Sequence, residues 1–334
     1  MKEQVNINLD GLVNKTNSIN PKKKHSRAKK VLVITFLALF VLSVGMLAAL
    51  PPLILDDMVN RHVNFKNVYT AEQYGISSNK LSLTTTDNVK IAAYEVTAPS
   101  PKAVVIFLSG IHNPSVTAFY GHSAMLKKNG YSSVLCEMRA HGESEGEVIC
   151  AGYKEYLDTR AVVDYIKENE TYKDVPIVVY GLSMGGATAI NSVGEIPDID
   201  GLISMSAFSS WENVFADNMV NMGIPKFICS MEKPFVKLYS GIKYGFNSLK
   251  ISPKNEIKKL GNRPALIYHS EGDSEVPFSS YERIMSNASG NIVTWVKEGD
   301  FHFPTENFDN PELDEEYYNQ VMGFLEKNFP GKQK

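Results

Sequence analysis

An apolar, β-branched run ends on a serine set between glycines: Val178-Val179-Tyr180-Gly181-Leu182-Ser183-Met184-Gly185-Gly186. A strand that turns sharply into a helix at this point would hold the Ser183 hydroxyl exposed at its tip, the arrangement of a nucleophile elbow. Such a turn leaves no room for side chains two residues before and two after the nucleophile, and Gly181 and Gly185 occupy those positions. A serine hydroxyl attacks a carbonyl only when a base takes its proton, and that base needs a carboxylate to orient it. Two downstream loops supply candidates. Pro264 to His269 reads as a buried strand leading into Ser270-Glu271-Gly272-Asp273-Ser274-Glu275-Val276-Pro277, and Ile292 to Val296 reads as another, leading into Gly299-Asp300-Phe301-His302-Phe303. Asp273 and His302 thus stand past the carboxyl ends of two strands, which in an open α/β sheet form the functional edge.

The elements needed to position these groups are readable. Leu81 to Thr86 and Val89 to Val96 straddle an Asp87-Asn88 turn and read as an antiparallel hairpin. Strand-like runs then follow at Ala103–Leu108, Ser132–Glu137, Ile177–Tyr180, Leu202–Met205, Ala265–His269 and Ile292–Val296. Between them, residues 116–129, 154–169, 184–194 and 278–288 have helical character. Such alternation predicts an α/β fold with a mostly parallel sheet and helices on both faces. Residues 207–262 interrupt it with a long stretch rich in Met, Phe and Tyr. They read either as an amphipathic helix pair on the sheet or as the wall of an apolar acyl pocket.

On these residues the chain resembles the α/β-hydrolase superfamily over roughly residues 80 to 330, and within it the serine aminopeptidase S33-like and monoacylglycerol lipase-like bacterial hydrolases. Besides Gly181 to Gly185, the likeness rests on three segments. Glu137-Met138-Arg139-Ala140-His141-Gly142-Glu143-Ser144 is similar to the family's Asp-x-Arg-Gly-His-Gly-x-Ser turn; the others are Gly272-Asp273 with Val276-Pro277, and Ile251-Ser252-Pro253. The chain order Ser, Asp, His is that of this superfamily. The resemblance implies an α/β-hydrolase fold with a short helical cap at 207–262, and backbone N–H groups of Ile111 and Met184 as the oxyanion hole. Two departures stand out. Where relatives carry His-Gly, this chain reads Ser109-Gly110-Ile111-His112-Asn113, with His112 a candidate substrate contact, and in the second turn Ala140 replaces the usual glycine and Glu137 the usual aspartate.

The N-terminus carries the other strong signal. Residues 31–50 contain no charge and are nearly all apolar, enough to cross a hydrocarbon core of about 30 Å as a helix. Lys22, Lys23, Lys24, Arg27, Lys29 and Lys30 precede this run, while Pro51, Pro52, Asp56 and Asp57 follow it. The expected organisation is a basic cytoplasmic leader over 1–30, a transmembrane helix over 31–50, a linker over 51–80 and a hydrolase domain over 81–334. By the positive-inside rule the catalytic domain lies outside the cytoplasm. A cleaved signal peptide is the competing reading, against which stand the long leader and the length of the apolar run.

Beyond the leader and apolar run about 280 residues remain, ample for one large domain. The net charge of −3 belongs to the whole chain, whose leader carries much of the positive charge, so the outer domain is more acidic than the total; nothing points to nucleic acid. Cys136, Cys150 and Cys229 are unclustered, so no metal site or disulfide scaffold is expected, with a Cys150–Cys229 bridge left open. No cofactor motif is present: there is no His-Glu-x-x-His, phosphate loop or dinucleotide fingerprint. The expected reaction is serine-dependent cleavage of a carboxylic ester by Ser183, Asp273 and His302. An aminopeptidase-type serine peptidase is the alternative among enzymes, and a non-catalytic binding protein on the same fold is the alternative outside them. The expected partners are a small-molecule ester or peptide substrate and, through residues 31–50, the cell membrane.

Overall fold

Short valine-, isoleucine- and leucine-rich runs bounded by turn residues make the sheet of this protein, as β-branched side chains favour the pleated conformation. The computed structural model describes residues 21–331; residues 1–20, most of the expected leader, lie outside them. Two units divide between Ala49 and Leu50. The first is made by helix α1 (Pro21–Val59) up to that division. Its large apolar side chains from Val31 to Leu42 are exposed, so the helix is apolar all round, as a membrane-spanning segment is.

The last turns of α1 belong to the second unit, where Leu55 and Val59 are buried in the core. Residues 51–80, expected as a linker, are therefore built into the domain. Val63 N–H donates to Ala140 O and Gly142 N–H to Val63 O, and Ala71 is buried. Leu55, Met58 and Val59 form one helical face at i, i+3, i+4, but so short a period is hard to see between a proline pair and a polar stretch.

Among the described residues eight strands follow: β1 (Asn79–Thr84), β2 (Lys90–Val96), β3 (Val104–Leu108), β4 (Ser132–Cys136), β5 (Ile177–Leu182), β6 (Gly201–Met205), β7 (Ala265–Ser270) and β8 (Ile292–Lys297). They form one sheet in the order β1-β2-β4-β3-β5-β6-β7-β8. β1 and β2 are an antiparallel hairpin, β2 is antiparallel to β4, and every later pairing is parallel. Alternate residues feed two cores: Ile106, Val134 and Val179 point into one, and Val105, Leu135 and Val178 into the other. A parallel sheet covered on both faces requires this near-continuous apolarity.

Helices α2 (Tyr120–Lys128), α3 (Tyr156–Glu168), α4 (Met184–Glu195), α5 (Trp211–Asn221), α6 (Lys226–Tyr244), α7 (Pro253–Glu256), α8 (Ser279–Met285) and α9 (Glu315–Asn328) complete the domain. The segment 207–262 holds α5, α6 and α7. Arg139 fixes the turn after β4: its guanidinium bonds the carboxylates of Asp158 and Asp87, and Asp158 also accepts its backbone N–H. Ala140 beside it has φ 61°, a left-handed conformation a glycine would adopt without strain. The three cysteines are free and buried. The Cys150–Cys229 bridge is not formed, and the two thiols face the carbonyls of Val148 and Ile224.

Candidate active site

β5 ends at Leu182 and α4 begins at Met184, so Ser183 is the entire turn between them. Its backbone has φ 57° and ψ −118°, a sparsely populated conformation that costs about 1–3 kcal/mol and persists only where the surroundings impose it. The surroundings are tight. A Cβ on Gly181 would lie 1.9 Å from Gly185 O, and one on Gly185 would lie 2.2 Å from Leu108 O. Ser183 N–H donates to Met205 O at the end of β6 (2.8 Å), and Ser183 O accepts from Ala187 N–H in the first turn of α4.

Asp273 and His302 come together from the loops after β7 and β8. His302 Nδ1 lies 2.8 Å from Asp273 Oδ2, and both residues are buried. The other carboxylate oxygen, Asp273 Oδ1, accepts N–H from Glu275 (3.0 Å) and Val276 (2.8 Å). The two loops are knitted together as well: Gly272 N–H donates to Gly299 O, Ser270 Oγ bonds both Gly299 O and Phe301 N–H, and Asp300 accepts from Ser274 N–H. Ser206 links His302 to Ser183. Its hydroxyl donates to His302 O (2.7 Å) while its neighbour Met205 accepts from Ser183 N–H, so one corner of β6 carries both residues. No sequence motif marks Ser206; its place beside Met205 at a strand end is the only signal.

Burial of the His302 ring opposes its cationic form. The hydrogen bond with Asp273 and the charges of Asp273, Glu275 and Asp300 outweigh that effect, and the imidazole pKa is raised above its ordinary value. Glu275, a rival carboxylate by sequence, lies 3.7 Å from His302 Nε2 with its side chain 66% exposed. Among the described residues, Asp273 is the carboxylate that meets Nδ1.

Gly110 lies against Ser183, since a Cβ built on it would be 3.8 Å from Ser183 Cβ. Ile111 and Met184, the expected oxyanion donors, line a cavity of about 300 Å³ together with Ser183. His141 Nε2 faces Ile111 O at 2.6 Å and so braces this loop. His112, a candidate substrate contact from the sequence, is occupied otherwise: its Nε2 lies 2.8 Å from Met58 O in the last turns of α1. Leu55, Met58, Phe208, Trp211, Phe215 and Met219 supply apolar walls to the cavity, and Glu275 stands at its edge. The contribution of Leu55 and Met58 was hidden because the sequence assigned them to a linker.

Residues 99–265, half of the chain, match the family model for serine aminopeptidase, S33. The chain belongs to that S33 family. Among curated relatives, it is 24% identical to protein Bem46 of Schizosaccharomyces pombe over 79% of this chain and 81% of that one. The uncharacterized protein YqkD of Bacillus subtilis is 25% identical over 52% and 56%, and the uncharacterized membrane protein YNL320W of Saccharomyces cerevisiae is 28% identical over 44% and 52%. The chain thus spans about half the length of the latter two. Among solved structures, the Pyrococcus furiosus esterase Pf2001 superposes with a TM-score of 0.61 at 24% identity, covering 80% of this chain and 99% of that one. An acylaminoacyl peptidase of Pyrococcus horikoshii gives 0.58 at 15% identity over 78% and 42%. These S33 and structural likenesses carry the α/β-hydrolase fold.

Proposed function

We propose that this S33-family protein is a membrane-anchored serine hydrolase that cleaves carboxylic esters. His302 removes the proton from Ser183, Ser183 attacks the ester carbonyl, and the N–H groups of Ile111 and Met184 receive the oxyanion. The alcohol leaves with the proton that His302 returns, and water, deprotonated by His302, then releases the acid from Ser183. Asp273 holds His302 with the proton on Nδ1. The observation that carries this reading is the pairing of His302 Nδ1 with Asp273 Oδ2 at 2.8 Å, on loops tied through Ser206 and Met205 to the strained turn at Ser183. The apolar walls around Ser183 favour an acyl group over a polar peptide. A panel of p-nitrophenyl esters and aminoacyl anilides tests this: turnover confined to the anilides would make the protein a peptidase, and no turnover of either with no fluorophosphonate labelling would leave a binding protein.

The pH profile should carry the signature of His302. The ring must be neutral to accept the Ser183 proton, so a raised pKa means kcat/KM falls as pH drops through a midpoint above the ordinary value of about 6.5. Glu275→Gln removes a negative charge near Nε2 and should move that midpoint only slightly to lower pH, because the carboxylate is well solvated. A loss of activity matching that of Asp273→Asn would instead make Glu275 the orienting acid.

The apolar part of α1 is read as a single membrane span with its basic side in the cytoplasm. Protease added to intact cells, or to wall-free protoplasts, should digest the catalytic domain and spare an N-terminal membrane-embedded stub. Protection until lysis would reverse the orientation, and a soluble product starting near Met46 would mean a signal peptide.

A further inference from the structure

Helix α6 is apolar on the side that the domain leaves uncovered. Cys229, Glu232, Val236 and Ser240 face inward and are buried. Phe227, Met231, Leu238 and Ile242 are exposed, Phe227 by 69% and Ile242 by 71%. Their spacing of i, i+4, i+11 and i+15 places all four within roughly 60° of one another around the helix. Lys226 falls along one flank of this stripe, while Lys233 and Lys237 on the same flank are engaged within the domain, by Asn213 (3.0 Å) and Glu212 (3.5 Å). A soluble domain rarely leaves so continuous an apolar strip in water. A helix with such an apolar face can lie in a lipid interface with that side about 5–10 Å deep.

Chain connection says which surface is at hand. Asp56 accepts hydrogen bonds from Tyr239 (2.7 Å) and Lys243 (2.8 Å) of α6, and Asn60 accepts from Lys243 as well. Asp56 is six residues past Leu50, the end of the apolar run, so this end of α6 lies within about 20 Å of that point whatever path the chain takes. The mouth of the cavity is equally constrained. Two of its lining residues, Ile54 and Met222, are exposed apolar side chains, and Ile54 is four residues from Leu50, within about 14 Å. A domain tethered this closely meets the membrane at about millimolar effective concentration, so even a modest apolar stripe suffices to hold it there.

We propose that the exposed stripe of α6 and the apolar rim of the cavity seat in the surface of the bilayer that residues 31–50 cross, and that the ester reaching Ser183 is a membrane-resident lipid with an aliphatic acyl chain. This rests on the membrane-anchored hydrolase reading above. Its acyl chain passes from lipid to the walls formed by Leu55, Met58, Trp211 and Phe215 without crossing water.

Depth-dependent quenching tests the docking. The full chain is reconstituted in vesicles of phosphatidylcholine and phosphatidylglycerol, with or without bromine on the acyl chains, carrying one added tryptophan: Leu42→Trp, Phe227→Trp, Leu238→Trp or Leu313→Trp. The emission of native Trp211 and Trp295 is subtracted using the unsubstituted chain. The tryptophans replacing Phe227 and Leu238 should lose a clear part of their added emission in brominated vesicles, as side chains at the headgroup/acyl boundary do. That replacing Leu42 should lose most of it, and that replacing Leu313, exposed outside the stripe, should lose none. Quenching at 42 without quenching at 227 and 238 overturns the docking and leaves the anchor standing, as when a second copy covers the stripe. Absence of quenching at 42 overturns the anchor and the docking with it.

Discussion

Asp273→Asn should lower kcat about 10⁴-fold while the protein stays folded, because the substitution inverts the tautomer of His302. The reason lies in the hydrogen bonds around the carboxylate. Oδ1 already accepts two backbone N–H groups, from Glu275 and Val276. An asparagine must present its carbonyl oxygen to those donors, since turning its amide toward them would leave two buried N–H groups facing another donor. Its NH₂ then points at His302 Nδ1, which becomes an acceptor, and the ring proton moves to Nε2. A ring protonated at Nε2 cannot take the Ser183 proton. Neither Glu271→Gln nor Glu275→Gln meets this constraint, so both should be far milder. Steady-state hydrolysis of a p-nitrophenyl ester, with circular dichroism as the check on folding, measures the difference. Equal losses for Asp273→Asn and Glu275→Gln would remove Asp273 from its assigned role.

In the proposed mechanism Asp273 and His302 act as one unit. Combining Asp273→Asn with His302→Ala should cost no more than His302→Ala alone, because an imidazole that is absent has no tautomer to misplace.

Much of this arrangement was legible in the sequence, for reasons that differ between residues. The strands from 103 to 296 announce themselves because a parallel sheet covered on both faces needs uninterrupted apolar runs, and Gly181 and Gly185 announce the elbow because any side chain there would overlap backbone. Asp273 and His302 were placed past two strand ends by the same logic, and the structure sets them 2.8 Å apart. What stayed hidden depends on contacts between distant segments. Leu55 and Met58 look like the start of a linker, yet they line the cavity that holds Ser183. Ser206, an unremarkable serine at a strand end, ties His302 to the corner that carries Ser183. His112 beside Ile111 looks like a group facing substrate, whereas its ring meets Met58 O. Local patterns report periodicity and steric necessity. They do not report which distant carbonyl a polar side chain will find.

Ser183 is where that necessity is most severe, and its replacement should separate chemistry from stability. Ser183→Ala removes the proposed nucleophile and should cost about 10⁶-fold in kcat, with loss of fluorophosphonate labelling. Ser183→Gly should be as inactive, but the two variants should differ in stability. At φ 57° and ψ −118° the alanine retains the Cβ that makes this backbone unfavourable. Glycine relieves a strain of about 1–3 kcal/mol and gives back roughly 0.5–1 kcal/mol through the greater freedom of its unfolded chain. Ser183→Gly should therefore be more stable than Ser183→Ala by about 1 kcal/mol. For a domain of this size that is a rise of about 2–4 °C in Tm, measured by thermal unfolding of the full chain in detergent. Equal melting temperatures would mean that the turn imposes no strain on Ser183. Residual turnover in both variants, near that of the unsubstituted protein, would remove Ser183 as the nucleophile.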